Sequence, residues 1–204
     1  MQKAIKAVIF DMGGVILRTV DPAPREGLAK RLGVPRMELE MAIFTGPTSL
    51  QSEIGELSDI EHWETIAALY HQPIESWPQL YNEFFGGDEV DMELVTYLRG
   101  LKGKFKIGLL SNAWVNGRQN LVKLYGDFLD VFDVSVFSSE IGLRKPDERA
   151  FQAVLDKLGV EAQEAIFVDD VPHNTAGAAE MGIHAVLFTD RDNAIKEINN
   201  RLKT

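Results

Sequence analysis

Five short apolar segments constrain the fold of this chain more than any other feature, because the last four alternate with helical patterns of about ten residues. The segments cover residues 4–10, 105–110, 131–137, 165–168 and 184–188. Apolar residues at helical spacing predict helices over 92–101, 115–125, 147–158, 175–181 and 193–202. Strands that alternate with helices are joined by right-handed crossovers into a parallel sheet. The sequence therefore predicts an α/β fold built on a parallel sheet.

Residues 18–87 interrupt this alternation with amphipathic helical patterns and no convincing strand. Ser58 and Glu61 form a capping box that begins one helix, and another follows Pro78 and ends at Gly86. The predicted apolar faces consist of Leu28, Leu32, Met37, Met41 and Phe44, and then of Ile60, Trp63, Ile66, Ala67 and Tyr70. We expect the aromatic residues here to form a core rather than a ligand site. The predicted domains are 1–17 with 88–204, and the helical insertion 18–87.

Polar residues follow four of the predicted strands, directly or in the loop beyond, in a pattern typical of a binding site. These residues are Asp11, Ser111 with Asn112, Lys145, and Asp169 with Asp170. Because the carboxyl ends of parallel strands meet at one edge of the sheet, we expect these side chains to converge. Gly13 and Gly14 follow Asp11 and allow a tight turn that a ligand can approach closely.

Carboxylates from two different strands make an oxygen-rich site of the kind that Mg²⁺ prefers, and this ion readily shares a phosphate. Ser111, backbone amides and Lys145 would then hold phosphate oxygens through charge-assisted hydrogen bonds. Each residue also has a simpler interpretation. Asp11 would cap a turn, Ser111-Asn112 would form an ordinary turn, Lys145 would be a surface lysine, and Asp169-Asp170 would cap a helix.

The net charge of −10 disfavours nucleic-acid binding, which needs clustered lysine and arginine. A site for phosphate would need a local metal or cation to reverse this field. The chain has no cysteine, which excludes disulfides and thiolate nucleophiles. The sequence also shows no signal peptide and no stretch long enough to span a membrane, so we expect a cytoplasmic protein.

Five sequence motifs together resemble the haloacid dehalogenase-like (HAD) hydrolase superfamily across essentially the whole chain. They lie at residues 10–15, 110–112, 142–147, 166–170 and 174–183. The run from 111 to 182 is especially similar to the amino-terminal phosphatase domain of soluble epoxide hydrolases and to small bacterial sugar-phosphate phosphatases. The resemblance implies a Rossmann-like three-layer core with a small helical cap inserted after the first strand.

The resemblance also implies a role for each residue of the predicted site. Asp11 would attack phosphorus and form an aspartyl-phosphate that water later hydrolyses. Mg²⁺ would be held by Asp11, the Gly13 carbonyl and Asp170, with Asp169 assisting as a ligand or from behind the ligands. Ser111, the Asn112 amide and Lys145 would bind the phosphoryl group. Lys145 would also balance the charges of Asp11 and Asp170 before substrate arrives.

One departure from the family pattern concerns the general acid. Many family phosphatases carry a second aspartate two residues after the nucleophile, where this chain has Gly13. General acid–base catalysis is typically worth 10²–10⁴-fold in rate, so its loss predicts slow turnover or a preference for good leaving groups. His173 is a candidate replacement, although a histidine at a helix start often simply faces solvent.

Two other functions compete with the phosphatase. A 2-haloacid dehalogenase would use Asp11 to attack carbon and would need no metal, but Asp169 and Asp170 would repel its anionic substrate. A binding or regulatory module would keep the fold and lose turnover, for which Gly13 is the positive argument. The expected substrate is a small phosphate ester, with Glu53, Trp114 and Asn116 as candidate contacts. We expect a monomer or a homodimer.

Overall fold

The computed structural model describes residues 3–203, and the terminal positions 1, 2 and 204 of the predicted core lie outside the described residues. The strands are β1 (Ala7–Phe10), β2 (Leu17–Thr19), β3 (Asp88–Val90), β4 (Lys106–Ser111), β5 (Val134–Phe137), β6 (Ala165–Asp169) and β7 (His184–Leu187). The α-helices are α1 (Ala23–Leu32), α2 (Arg36–Thr45), α3 (Pro47–Glu53), α4 (Asp59–Leu69), α5 (Trp77–Phe85), α6 (Met92–Leu101), α7 (Gly117–Tyr125), α8 (Ser138–Ile141), α9 (Glu148–Leu158), α10 (Pro172–Glu180) and α11 (Arg191–Leu202). Short 3-10 helices cover Ile74–Ser76, Leu129–Val131 and Ala162–Glu164.

Five strands form one parallel sheet in the order β5–β4–β1–β6–β7, with helices packed on both faces. The central strand β1 is apolar and buried at every position, as expected for a strand covered on both sides. Phe10 lies beside Leu109 of β4 and Val168 of β6. Alternate residues of β1 enter different cores, Val8 on one face and Ile9 on the other. The predicted α/β fold with a parallel sheet is therefore confirmed.

The segment between β2 and β3 consists of helices α1 to α5, which pack around a hydrophobic core of their own. Trp63 and Phe84 lie at its centre and are both fully buried. The predicted capping box is present, since Ser58 Oγ accepts a hydrogen bond from the Glu61 amide and Glu61 accepts one from the Ser58 amide. Helix α5 ends at Phe85, directly before the predicted Gly86. No described helix is long and apolar enough to cross a bilayer.

Two expectations for this segment are wrong. It was predicted to contain no strand, yet the outgoing chain forms β2, which pairs antiparallel with β3 where the chain returns. These strands have three residues each, which is too short for an alternating pattern to be visible. On α2, Met37 and Met41 are 72% and 58% exposed, while Leu39 and Ile43 are buried. Helix α1 ends at Leu32, and α2 is a separate helix that begins at Arg36. The spacing of apolar residues in α1 therefore does not predict which side of α2 is buried.

Candidate active site

Three parallel strands bring their polar end residues together at one edge of the sheet. Asp11 follows β1, Ser111 ends β4, and Asp169 ends β6 with Asp170 next in sequence. Lys145 reaches the same place from the loop before α9. Asp11, Lys145, Asp169 and Asp170 are called the charged centre below. Their convergence is the arrangement that the order of the strand ends predicts.

Lys145 lies at the middle of the charged centre and is only 1% exposed. Its Nζ donates one hydrogen bond to Asp11 Oδ1 and one to Asp169 Oδ2, each at 2.6 Å. The interpretation of Lys145 as a surface lysine is therefore wrong. Lys145 thus bonds directly to Asp11 and Asp169, and its charge also acts on Asp170, where it opposes the rise in pKa caused by burial. Successive side chains of a strand point to opposite sides, so Asp169 turns inward and Asp170 turns toward the cleft.

The side chain of Asn112 holds the backbone of Lys145 on both sides of its Cα. Asn112 Nδ2 donates to the Lys145 carbonyl at 3.1 Å, and the Lys145 amide donates to Asn112 Oδ1 at 2.8 Å. A side-chain amide that satisfies both backbone groups of one residue fixes that segment tightly. The end of β4 therefore helps to position the lysine that enters from a distant loop.

Asp169 is completely buried, and its carboxylate accepts hydrogen bonds from several directions. The Val171 amide donates to it at 2.8 Å, and Asn174 Nδ2 lies 3.1 Å from both of its oxygens. The bond to the Val171 amide fixes the turn that leads into α10, but neither aspartate caps this helix, whose N-cap is Val171 with no side-chain hydrogen bond. Asn174 has no assigned role in the sequence analysis. Its position five residues after Asp169, in the first turn of α10, is the feature of the sequence that indicates this contact.

Burial and like charges perturb the titration of the charged centre. Burial raises the pKa of Asp11 to about 7, Lys145 opposes this, and the nearby Asp169 carboxylate adds to it. Burial alone would lower the pKa of Lys145, but Asp11 and Asp169 together raise it above its usual range. Partial desolvation and the charge of Asp169 raise the pKa of Asp170. Strongly perturbed groups of this kind concentrate at functional sites.

The charged centre fits a divalent cation bound through oxygen. Asp11, Asp169 and Asp170 each offer a carboxylate oxygen, and these atoms lie within 4.8 Å of one another. The charged centre holds three carboxylates and one ammonium group, which bonds to two of them, so negative charge is in excess. A hard cation such as Mg²⁺ binds such carboxylates and would balance the remaining charge.

The two glycines after Asp11 differ in the space around them. Gly14 has a φ of +78°, and a Cβ added there would lie 2.1 Å from Asp170 Oδ2. A residue with a side chain is therefore excluded unless Asp170 moves. An added Cβ at Gly13 would meet no atom within 4 Å. Position 13 is thus open toward the ligand space, as expected where a general acid is missing.

A cleft of about 760 Å³ opens beside the charged centre. Asp11, Lys145 and Asp170 line it together with His173 and Asn112. Ser111 is buried and lines a smaller adjoining cavity of about 140 Å³, and its hydroxyl has only a long 3.5 Å contact with the Asn112 carbonyl. The structure thus places every predicted site residue at or beside one concave surface.

The three candidate substrate contacts connect the parallel-sheet region to the helical insertion. Trp114 and Asn116 belong to the loop after β4, and Glu53 ends α3. Glu53 and Trp114 line the smaller cavity, whereas Asn116 is used in a hydrogen bond to the insertion. The three bonds are Trp114 Nε1 to Ser49 Oγ (3.0 Å), Asn116 Nδ2 to Asp59 Oδ1 (2.6 Å) and Arg144 Nε to Glu53 Oε2 (2.6 Å).

Several known proteins are similar to this chain over most of its length. It is 27% identical to the sesquiterpene phosphatase astK of Aspergillus oryzae, with 93% of each chain covered. It is 26% identical to a phosphoglycolate phosphatase of Cereibacter sphaeroides, over 90% of this chain and 84% of that one. Bifunctional epoxide hydrolase 2 of Sus scrofa is 22% identical over 96% of this chain, which spans only 38% of that longer protein.

Solved structures show the same architecture. A HAD-like hydrolase from Porphyromonas gingivalis has a TM-score of 0.78 at 25% identity, with 99% of this chain and 100% of that one covered. A variant HAD family enzyme from Bacteroides thetaiotaomicron, in complex with magnesium and inorganic phosphate, has a TM-score of 0.72 at 25% identity, with 90% and 94% covered. A 2-haloacid dehalogenase from Pseudomonas syringae pv. Tomato shares the fold, with a TM-score of 0.62 at 23% identity and 98% of each chain covered.

A model of haloacid dehalogenase-like hydrolases matches residues 5–182, which include the first strand, the helical insertion and the whole charged centre. The resemblance carried by the five motifs is thereby confirmed. Family, fold and converging strand ends agree, and the chain belongs to the haloacid dehalogenase-like hydrolases.

Proposed function

We propose that this hydrolase is a Mg²⁺-dependent phosphatase that cleaves a small phosphate monoester through an aspartyl-phosphate on Asp11. The observation that carries the proposal is the burial of Lys145 between Asp11 and Asp169, with Asp170 beside them at the cleft. One cation held among three carboxylates orients the nucleophile and leaves a charge excess suited to a metal. Two relatives that are named as phosphatases each match 90% or more of this chain, and they support the same reaction.

The first chemical step joins Asp11 to phosphorus. A carboxylate oxygen of Asp11 attacks the phosphorus atom, the bond from phosphorus to the ester oxygen breaks, and the alcohol leaves with a proton. Water then attacks the phosphorus of the aspartyl-phosphate, which releases inorganic phosphate and restores the carboxylate. A covalent intermediate divides one difficult displacement into two easier ones.

In this proposal Asp11, the Gly13 carbonyl and Asp170 hold Mg²⁺. Asp169 supports them from behind, because its oxygens are already bonded to Lys145, Val171 and Asn174. When bound, the ion supplies positive charge to the phosphoryl oxygens and lowers the pKa of the carboxylates that hold it. The Bacteroides thetaiotaomicron enzyme found with magnesium and phosphate makes the same ion reasonable here.

Ser111, the Asn112 amide and Lys145 bind the phosphoryl group in this proposal. Within residues 3–203 the Ser111 hydroxyl has only a long contact with the Asn112 carbonyl, so it remains available to a ligand. Lys145 carries its charge at the pH of the cell because its pKa is raised. Donors that are already in place before the charge develops lower the barrier without reorganisation.

The proton for the leaving alcohol is the weak part of the site. Gly13 has no side chain to supply it, and the exposed His173, which lines the cleft, is the candidate replacement. We therefore expect esters with good leaving groups to react fastest, since they need the least protonation.

A dehalogenase is the second candidate, and its support is a shared fold with the Pseudomonas syringae enzyme. The three carboxylates of the charged centre argue against it, because an anionic haloacid would be repelled without a bound cation. A regulatory module without turnover retains only Gly13 as its argument. The intact Lys145 cluster opposes that reading.

The proposal assigns residues 18–87 to a cap and residues 1–17 and 88–204 to the catalytic core. Its physical basis is the separate hydrophobic core of helices α1 to α5, which lies over the cleft next to the charged centre. A cap in this position would exclude water and contact the leaving group. We propose that the enzyme is located in the cytoplasm and is a monomer or a homodimer.

The proposal is tested by hydrolysis of p-nitrophenyl phosphate and a panel of phosphorylated metabolites, with Mg²⁺ and with EDTA. We expect release of phosphate that requires Mg²⁺ and that disappears in the Asp11→Asn variant. Asp192→Asn is the matched control, because that side chain is 90% exposed and lies in the first turn of α11. Folded protein that releases phosphate from no ester would overturn the phosphatase. Chloride release from 2-chloropropionate would then favour the dehalogenase.

A further inference from the structure

A small cavity adjoins the phosphate site and shares part of its wall with the main cleft. It has a volume of about 140 Å³ and lies between α7, the loop after β4, and the helical insertion. It is called the aromatic cavity below, because Phe44, Phe85 and Trp114 line it. Gly13 and Asn112 line both spaces, so the cavity opens toward the nucleophile. Since Gly13 lacks a side chain, nothing at position 13 separates them.

Aromatic and aliphatic side chains dominate the wall of the aromatic cavity. The rings of Phe44 and Trp114 stack with their centroids 6.2 Å apart, and Phe85 stands at a steep angle to both. Leu121 and Leu124 of α7 line it as well. Such a surface gains free energy by contact with an apolar ligand.

Three polar side chains at the wall already have hydrogen-bond partners within the protein. Glu53 accepts a hydrogen bond from Arg144 at 2.6 Å, and Asn120 donates to Asp59 at 3.0 Å. Both atoms of the Asn112 amide bond to the Lys145 backbone. These three side chains therefore offer little to the hydroxyl groups of a sugar, and burying such groups without hydrogen bonds is unfavourable.

The arginines of the adjoining cleft do not offer a second anion site. Arg18 is paired with Asp91, Arg25 bonds to Asp88 at 2.7 Å, and Arg144 bonds to Glu53. The described lining of the aromatic cavity contains no lysine, arginine or histidine. A carboxylate or second phosphate on the substrate would therefore compete with the carboxylates of Asp91, Asp88 and Glu53 for the arginines.

The size of the cavity limits the group that it accepts. An apolar protein cavity of about 150 Å³ binds one benzene molecule, which is close to the volume found here. On the basis of the proposed phosphatase activity, we propose that the aromatic cavity receives the alcohol part of the substrate as an apolar group. That group has five or six carbon atoms next to the phosphate and carries no second charge.

A homologous series of n-alkyl monophosphates, from ethyl to octyl, tests this directly, because leaving-group basicity stays constant while apolar area grows. We expect kcat/KM to rise about fourfold for each methylene group, as burial of a methylene predicts, and to level off after five or six carbons. Glycerol phosphate and phosphoglycolate should react no faster than ethyl phosphate. A flat series, or a preference for phosphoglycolate, would overturn the proposal.

Two aspartate substitutions on α7 provide a matched comparison. Leu124 and Val122 are 43% and 39% exposed, but only Leu124 lines the cavity. We expect Leu124→Asp to abolish most of the rise with chain length, because a carboxylate at the wall opposes an apolar group. Val122→Asp should leave the rise unchanged. Equal slopes in the two variants would show that this cavity does not receive the chain.

Binding of n-alkyl phosphonates in the presence of Mg²⁺, followed by calorimetry, separates this inference from the proposed function. These compounds cannot be hydrolysed, so their affinity reports the cavity even in a protein without turnover. Affinity that rises from ethyl to hexyl phosphonate supports the aromatic cavity as an apolar site, whether or not any ester is cleaved. Affinity independent of chain length overturns it, even if acetyl phosphate is hydrolysed and the phosphatase stands.

Discussion

The charged centre and the helical insertion bury polar atoms in opposite ways. In the charged centre, Lys145 and Asp169 are almost completely buried, and each bonds to several partners at short distances. In the insertion, His62 Nε2 and Trp63 Nε1 are buried with no hydrogen-bond partner in the described part of the chain. The charged centre is thus held by directed polar contacts, whereas the apolar core of the insertion around Trp63 leaves two buried polar atoms without partners.

This difference indicates where the molecule tolerates change. A bonded network in a medium of low polarity loses a great deal when one member is removed, because the remaining charges stay buried. Apolar packing around Trp63 and Phe84 is less directional, and it accepts substitutions of similar volume. We therefore expect the chemistry to depend on single atoms, and the substrate to depend on the shape of the insertion.

Replacement of Lys145 by methionine gives the largest expected effect. The volume is kept, but Asp11 and Asp169 lose their common partner inside the protein. We expect a loss of about 10³-fold in kcat/KM and a decrease of about 3–5 kcal/mol in the free energy of unfolding. Mg²⁺ should restore part of the stability, since it would offset the unpaired charge. Urea unfolding with Mg²⁺ and with EDTA measures both effects.

The matched control for that variant is Lys157→Met, an exposed lysine in the last turn of α9. It should change the free energy of unfolding by less than about 0.5 kcal/mol. If the two lysine variants unfold alike, the buried network around Lys145 does not hold the site together, and the contrast between the two regions fails.

Gly14→Ala should have the next largest effect. The added Cβ would collide with Asp170, and the φ of +78° is unfavourable for any residue with a side chain. We expect about a 10²-fold loss of apparent Mg²⁺ affinity in activity assays, since displaced ligands and their supports lower affinity by 10–100-fold. Gly100→Ala in α6 meets no atom within 4 Å and serves as the control. An unchanged Mg²⁺ dependence in Gly14→Ala would separate Asp170 from the metal.

The sheet edge was predictable from the sequence because topology alone brings the strand ends together. Asp11, Ser111 and Asp169 converge wherever parallel strands carry them to the same edge. The partner of Lys145 was not predictable in this way. The direction of each carboxylate depends on where β6 ends, and the roles of Asn112 and Asn174 depend on contacts between separate loops.

The insertion was less predictable because its helices take their orientation from each other. The capping box at Ser58 is a local signal and was found from the sequence. The predicted buried face of α2 is wrong, because the loop before Arg36 changes the orientation of α2 relative to α1. The aromatic cavity joins Phe44 to Trp114, which lie 70 positions apart, and no local pattern marks such a contact.

The Gly13→Asp variant tests whether the absence of a carboxylic acid at position 13 limits the rate. An added Cβ meets no atom within 4 Å, so the first side-chain atom of an aspartate is accommodated there. We expect kcat for poor leaving groups, such as alkyl phosphates, to rise about tenfold, while acetyl phosphate changes little. Gly13→Asn has the same shape and no titratable proton. An equal gain in both variants would exclude proton transfer as the cause.

His62→Gln gives the smallest expected effect and concerns the insertion alone. Burial lowers the pKa of His62 to about 4, so the unfolded chain takes up its proton first as the pH falls. The stability that neutral His62 contributes is therefore complete above its ordinary pKa of about 6.5, and it declines as the pH falls from there toward 4. Between pH 7.5 and 5 we expect the wild-type free energy of unfolding to fall by about 1–2 kcal/mol more than that of His62→Gln, measured by urea unfolding. The exposed His71→Gln should follow the wild type. If the free energy of unfolding of His62→Gln falls with pH as much as that of the wild type, His62 takes up a proton inside the folded insertion as easily as in water. The insertion would then be packed less tightly around His62 than its burial indicates.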